Sequence, residues 1–475
     1  MNFTTNFDIV RQALEDFTTE IYSPNNKVID QIPLDQLIQK LDLSSWIKEG
    51  GLEGQVLKDF LSAFLSYQTR LHHSGYLGHQ CAAPHYAAAL GGFINNVTNN
   101  VPSIYEMGPS SVALEVFLVN WMLEKVGWKP TPLTVHSRMS EENYGGGVLV
   151  NGGSIANLTA LIMARTQVAP EVWQEGNPDG LSILLPSESH YSLTKAAGIL
   201  GIGKKAIHFV EVDKRGAVIP DSLPGIFKKV QEKGHFPIAL VANACNTPVG
   251  IYDPLDEIAD FCQEQKLWLH VDGAHGASAL LSETHGHKLK GVERADSLVW
   301  DAHKLLQVPS LCAALLVKNH KHLDQAMPVG DNASYLFHDK EQPGVDTLHR
   351  TIETTKPGLG ERLFFVLGAI GEGGMAGFID RQYQLTLEVY HYLQNLPDFE
   401  CPAQPESNIL CFQYTGATMD SLFLRKKLLE TGEFYLTTTL FKGARYLRLV
   451  FMSPNTEFGH IVNLVTSIRE IATKV

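Results

Sequence analysis

Along the middle of the chain, short apolar runs alternate with stretches in which apolar residues recur every three or four positions. The runs at 147–150, 182–185, 208–212, 238–241, 268–271, 297–300 and 313–317 have the length and continuity of strands buried on both faces. Helical periodicity fills most of the gaps, as at 155–165, 223–233 and 255–265. This alternation predicts an α/β unit with a mostly parallel sheet covered on both sides. Ahead of it, residues 1–70 read as helices: Leu34, Leu37, Ile38 and Leu41 share one face, as do Val56, Phe60 and Phe64. Pro24-Asn25-Asn26 breaks the first helix. The segment has too little apolar surface to fold alone and is expected to pack on the large domain or on another chain. Past residue 366 the pattern becomes a long helix near 382–396, short strands at 409–414 and 445–451, and a final helix near 457–473. The expected domains are therefore a helical segment over 1–70, a large α/β domain over 71–365 and a smaller α+β domain over 366–475.

Composition narrows the class. With 44% hydrophobic and 19% charged residues, the chain is globular rather than disordered. A formal charge of −13 argues against nucleic acid or an anionic membrane as partner. Cys81, Cys245, Cys262, Cys312, Cys401 and Cys411 are dispersed, with no Cys-x-x-Cys pair. That suits reduced thiols in the cytoplasm, and no metal site is expected. The amino terminus lacks the basic and apolar regions of a signal peptide, and no apolar stretch is read as long enough to span a bilayer. A soluble, cytoplasmic protein is expected.

Two of the predicted strands deliver side chains that carry chemistry. Leu267-Trp268-Leu269-His270-Val271 is followed by Asp272, and Ser297-Leu298-Val299-Trp300 leads through Asp301-Ala302-His303 to Lys304. In open parallel sheets ligands bind beyond the carboxyl ends of the strands. Either residue alone is more often simply solvated there. Together, a lysine for an imine and an aspartate for a pyridinium nitrogen form the pattern of pyridoxal 5'-phosphate (PLP) enzymes.

Other segments add to the pair. Gly152-Gly153-Ser154 opens a predicted helix whose free N–H groups favour an anion, although a capped glycine turn would read the same way. His190, in Ser187-Glu188-Ser189-His190-Tyr191, follows a strand where an imidazole can stack on a flat ring or simply cap a helix. Thr247 follows another strand, either as a hydrogen-bond donor to a ligand or as a turn residue before Pro248.

Taken in order, these segments resemble the group II PLP-dependent amino-acid decarboxylases, the family of the glutamate, cysteine-sulfinate and aromatic amino-acid decarboxylases. They are most similar to the glutamate and cysteine-sulfinate branch, whose Tyr-Glu-x-x-Pro segment is matched by Tyr105-Glu106-Met107-Gly108-Pro109. The resemblance implies the fold type I (aspartate-aminotransferase-like) architecture, PLP as cofactor, and a homodimer with sites at its interface. It implies that Lys304 holds PLP and Asp272 pairs with the ring nitrogen. His190 would stack on one ring face with Ala274 on the other. Gly153, Ser154 and His303 would lie at the phosphate, and Thr247 near the ring hydroxyl or the substrate carboxylate. Arg448 matches an arginine that binds a substrate carboxylate, though its segment also reads as an edge strand with the arginine in solvent. His79 and Cys81 stand at the substrate end. The implied reaction is loss of carbon dioxide from glutamate, aspartate or cysteine sulfinate, with 2,4-diaminobutyrate left open by the acidic chain.

The chain also departs from that family. The covering loop at 338–351 contains no tyrosine, and Val345 aligns where many relatives carry one that protonates the carbanion. His338 or His349 is the expected substitute acid. Loss of that acid also keeps a decarboxylating, oxygen-consuming aldehyde synthase open, beside an aminotransferase and a non-catalytic interaction protein. A Gly-Arg-Arg stretch becomes Thr354-Thr355-Lys356-Pro357-Gly358, an Asn-Pro becomes Asp301-Ala302, and His275 replaces a tryptophan.

Overall fold

The seven apolar runs form one sheet. Its strands are β1 (Gly146–Val150), β2 (Leu181–Pro186), β3 (Ile207–Val210), β4 (Phe236–Asn243), β5 (Trp268–Asp272), β6 (Ser297–Asp301) and β7 (Ala313–Val317). They lie in the order β1-β7-β6-β5-β4-β2-β3. The pairs β2–β3, β2–β4, β4–β5 and β5–β6 are parallel, whereas β7 runs antiparallel to β1 and β6. Strands β1, β2, β5, β6 and β7 are buried at every position, which explains why their sequences read as unbroken apolar runs. The structure, a computed structural model, describes residues 3–21, 26–133, 143–327, 344–416 and 419–474.

The chain groups into two compact units rather than three consecutive segments. The larger comprises Gln80–Leu387 and Pro402–Leu410; the smaller comprises Met1–His79, Glu388–Cys401 and Cys411–Val475. In the larger unit, α1 (Pro109–Val126) and α2 (Gly153–Val168) pack against the sheet, and α3 (Leu255–Gln265) precedes β5. Every residue of α2 from Ala156 to Thr166 is buried. Its small Ala156, Ala160 and Ala164 let a helix that is buried on all sides, Asn157 included, sit within the core.

The smaller unit has its own five-stranded sheet, in the order Tyr76–Leu77, Tyr435–Phe441, Ala444–Val450, Ile409–Tyr414 and Phe399–Glu400. The amino-terminal segment thus joins the carboxyl-terminal strands: Tyr76 pairs in parallel with Tyr435. Helix Phe3–Glu20 packs with Gly54–Ser66 yet buries none of its own residues.

The long helix expected at 382–396 is α4 (Gly360–Gln394). Contrary to the sequence expectation, it is long and apolar enough to cross a membrane by length and composition. Gly371, at φ 67°, breaks it into two helical stretches. Leu363, Val366, Met375 and Ile379 are fully buried, so these apolar residues serve the protein interior.

Candidate active site

Strands β5 and β6 are parallel neighbours, and functional groups stand at their carboxyl ends. Asp272 closes β5; its Oδ1 accepts from the Ala274 N–H at 3.2 Å and its Oδ2 from Asn157 Nδ2 at 3.0 Å. Asp301 closes β6, and the turn that follows carries His303 and Lys304. Lys304 Nζ lies 3.2 Å from Asp301 Oδ2, and His303 Nε2 lies 3.6 Å from the same oxygen. His303 Nδ1 is 2.8 Å from the Cys312 carbonyl, which fixes that ring.

The start of α2 meets this pair. Gly152 sits at φ 102°, a conformation that L side chains rarely adopt. At Gly153 a Cβ would fall 2.8 and 2.9 Å from the two Asp301 oxygens, so only glycine admits this close approach. In the first turn of α2 the Ile155 and Ala156 N–H groups donate to the Gly152 carbonyl at 3.1 and 3.2 Å, whereas those of Gly153 and Ser154 have no partner among the described residues and are placed for an anion. His190 caps the helix Tyr191–Ile199, its Nδ1 accepting from the Ser192 N–H at 3.3 Å. Burial lowers the His190 pKa, partly offset by Asp272 and Asp301, so the ring is neutral at ordinary pH.

All eight residues assigned to the cofactor (Gly153, Ser154, His190, Thr247, Asp272, Ala274, His303 and Lys304) line one cavity of about 410 Å³. A larger cavity, about 780 Å³, opens around Trp128, Lys266 and His322. It includes none of the carboxyl ends of the parallel strands, where open α/β sheets bind ligands. The smaller one supplies what PLP requires: an amine, a buried carboxylate, a neutral imidazole and a helix start for the phosphate.

The sequence reading missed Asn157, Cys245 and Leu311 in the same cavity, and Asp301 and His275 appeared in it only as departures. Asn157 lies one helical turn past Ser154, a spacing that places both on one helix face and could have signalled it. Burial pushes the Cys245 thiol up to about 12, so it is an uncharged wall of the cavity. His275 Nε2 is held 2.6 Å from Asn408 Oδ1. Asp301 is 2% exposed, and its Oδ1 has no hydrogen-bond partner among the described residues.

The substrate residues are placed differently. Cys81 belongs to the larger unit but does not line the cavity; His79 and Arg448 belong to the smaller unit. Arg448 is 7% exposed on a strand flanked on both sides, which corrects the edge-strand reading with the guanidinium in solvent. His79 Nε2 lies 2.9 Å from the Tyr435 hydroxyl, and burial together with the Arg448 and Arg425 charges lowers its pKa.

Of the loop residues, Val345 borders cavities with Val116 rather than the one holding Lys304. His349 lies 3.7 Å from Asp324, which Arg350 also contacts at 3.1 Å. Burial alone would raise the Asp324 pKa, but these partners and His320 hold the carboxyl well below the usual range. His338 lies outside the described residues.

Residues 37–415 match the pyridoxal-dependent decarboxylase conserved domain. The chain is 30% identical over 411 residues to acidic amino acid decarboxylase GADL1 of Xenopus tropicalis, covering 86% of this chain and 77% of that protein. It is 32% identical over 399 residues to the cysteine sulfinic acid decarboxylase of Rattus norvegicus, covering 83% and 78%. The crystal structure of mouse CSAD superposes with a TM-score of 0.86 at 27% identity, covering 98% of this chain and 99% of that one. The chain belongs to the pyridoxal-dependent decarboxylase family: it is a PLP-dependent carboxy-lyase acting on an amino acid.

Proposed function

We propose that the substrate is an acidic amino acid (cysteine sulfinate, aspartate or glutamate) and that the working form is a cytoplasmic homodimer. The acidic preference is supported by relatives named for acidic amino acids and cysteine sulfinic acid, together with the sequence resemblance that assigns Arg448 to a substrate carboxylate. A guanidinium presents two parallel N–H donors to a carboxylate or sulfinate. For the dimer, support comes from exposed apolar residues such as Phe3, Leu34 and Ile47 in the amino-terminal helices. The cytoplasmic reading is supported by six dispersed cysteines, none of them in a disulfide among the described residues.

The residues divide the work as follows. Lys304 is the covalent anchor, with Asp301 3.2 Å from its amine. Gly153, Ser154 and His303 receive the phosphate. Asp272, buried and held by Asn157, keeps a proton on the ring nitrogen. Neutral His190 and Ala274 enclose the ring. When bound, PLP supplies the electron sink into which the carbon–carboxylate bonding electrons pass as carbon dioxide leaves.

The test is a panel of glutamate, aspartate, cysteine sulfinate and 2,4-diaminobutyrate on PLP-loaded protein, following carbon dioxide and oxygen together. Carbon dioxide from an acidic substrate without oxygen uptake is expected. Turnover confined to 2,4-diaminobutyrate would overturn the acidic reading. Lys304→Ala should remove both turnover and the visible absorbance of lysine-bound cofactor; persistence of that absorbance would refute the anchor.

A further inference from the structure

Behind Asp272 runs a chain of buried hydrogen bonds whose order follows from strand geometry. Trp268, His270 and Asp272 occupy alternate positions of β5 and face one side. Ser297 of β6 lies in register with His270. Trp268 Nε1 donates to Ser297 Oγ at 2.9 Å, and that oxygen lies 2.8 Å from His270 Nδ1. His270 Nε2 lies 2.9 Å from Asn157 Oδ1, and Asn157 Nδ2 donates to Asp272 Oδ2 at 3.0 Å. The same amide nitrogen donates to Ser192 Oγ at 3.0 Å, which lies 2.8 Å from His190 Nδ1. His270 and Ser297 are fully buried, and Asn157 is 1% exposed.

The direction of every bond is determined. An indole N–H only donates and a carboxylate only accepts. Asn157 must therefore turn its NH₂ toward Asp272 and Ser192, and its carbonyl toward His270. His270 must then carry its proton on Nε2, while Ser297, already receiving from Trp268, gives its own hydrogen to Nδ1. Burial lowers the His270 pKa to about 4, so the ring is neutral with a single N–H, as this arrangement demands. On the second branch Ser192 receives from Asn157 and gives to His190 Nδ1, which leaves the His190 proton on Nε2.

We propose that Asn157, held by His270, is a positioning residue that sets Asp272 for the cofactor's ring nitrogen and His190 for the ring face at once. The inference rests on reading the cavity as the PLP site. An amide N–H stabilises a carboxylate without titrating, so Asp272 stays an acceptor and gains no competing acid. The amide also interrupts proton transfer, which makes the chain an orienting device and not a proton wire.

The test compares PLP with its 1-deaza analogue, in which carbon replaces the ring nitrogen, by titrating apoprotein and reading lysine-bound absorbance. Asn157→Leu should weaken PLP by about tenfold or more, and the analogue by a clearly smaller factor, because the analogue gives Asp272 nothing to hold. Ser192→Ala, which cuts only the His190 branch, should weaken both equally. Equal losses for PLP and analogue in Asn157→Leu, or no loss, would overturn the proposal. If Asn157→Leu does not fold, His270→Phe and His270→Gln make the same comparison. Glutamine restores an N–H toward Asn157 and should recover PLP affinity; failure to recover would count against the chain. Absence of any lysine-bound signal in the unaltered protein would instead remove the cofactor reading on which the proposal rests.

Discussion

Replacing Lys356 by methionine should destabilise the larger unit by several kcal/mol, although Lys356 does not line the cavity that holds Lys304. The Lys356 side chain is 1% exposed and its partner Glu115, on α1, 3%. Lys356 Nζ donates to Glu115 and, at 2.7 Å, to the Leu149 carbonyl on β1; the Glu115 carboxylate also accepts the Leu149 N–H at 3.0 Å. Removing the amine leaves a buried carboxylate with one backbone donor. Breaking a buried pair from one side costs about 3–5 kcal/mol, whereas replacing both members with apolar groups is often neutral. Glu115→Leu alone strands the ammonium at a similar cost. The double variant should then lie within about 2 kcal/mol of the starting protein instead of at the sum of the singles, the residue being Leu149's two lost hydrogen bonds. Urea unfolding of the cofactor-saturated protein measures all four species. A Lys356→Met loss below about 1 kcal/mol, or an additive double variant, would refute the reasoning. Because β1 leads directly to Gly152 and Gly153, the single variants should also weaken PLP binding.

Two further outcomes follow from the site. His270 has a pKa of about 4 in the folded protein against an ordinary 6.5, so the unfolded chain takes up a proton that the folded one excludes. This contribution is complete above pH 6.5 and is lost as the pH falls toward 4; His270→Gln should therefore lose about 2 kcal/mol less between pH 7 and pH 5. Parallel stability curves would contradict it. Asp301 places a buried carboxylate against Gly153 and His303, two of the residues assigned to the phosphate. Asp301→Asn should tighten PLP by roughly tenfold, since a like charge is removed from a poorly solvated site; an unchanged or weaker titration would show that the carboxylate does not face the phosphate.

The sequence made some parts of this protein legible and not others, for physical reasons. Strands buried on both faces are continuous apolar runs, so β5 and β6 were found to within a residue, and with them Asp272 and Lys304. The strand Tyr435–Phe441 was overlooked because Thr437-Thr438-Thr439 face a half-buried surface and interrupt the apolar signal. Register is a property of two strands together. Nothing local to Ser297 or His270 announces that they are neighbours, so the bonds behind Asp272 were invisible. Lys356 reads as a surface lysine in a Pro- and Gly-containing loop until Glu115, far away in sequence, is placed beside it. Arg448 was equally ambiguous until its strand acquired a neighbour on each side.

The pairing of Tyr76 with Tyr435 has a consequence for how the protein is made. Thr437 Oγ1 donates to the carbonyl of Gly78, 359 positions earlier. The strand Tyr76–Leu77 thus leaves the ribosome long before its sheet partner does. At ordinary elongation rates that interval is roughly 20–70 s, long compared with helix formation or collapse. Most of the larger unit, including Gly153, Asp272 and Lys304, is synthesised within it. The unit that holds Lys304 is therefore placed to fold while the strand Tyr76–Leu77 still waits for its partner. A nascent chain stalled before residue 435 would carry Lys304 together with an unpaired Tyr76–Leu77 strand, an open edge of the kind chaperones shield.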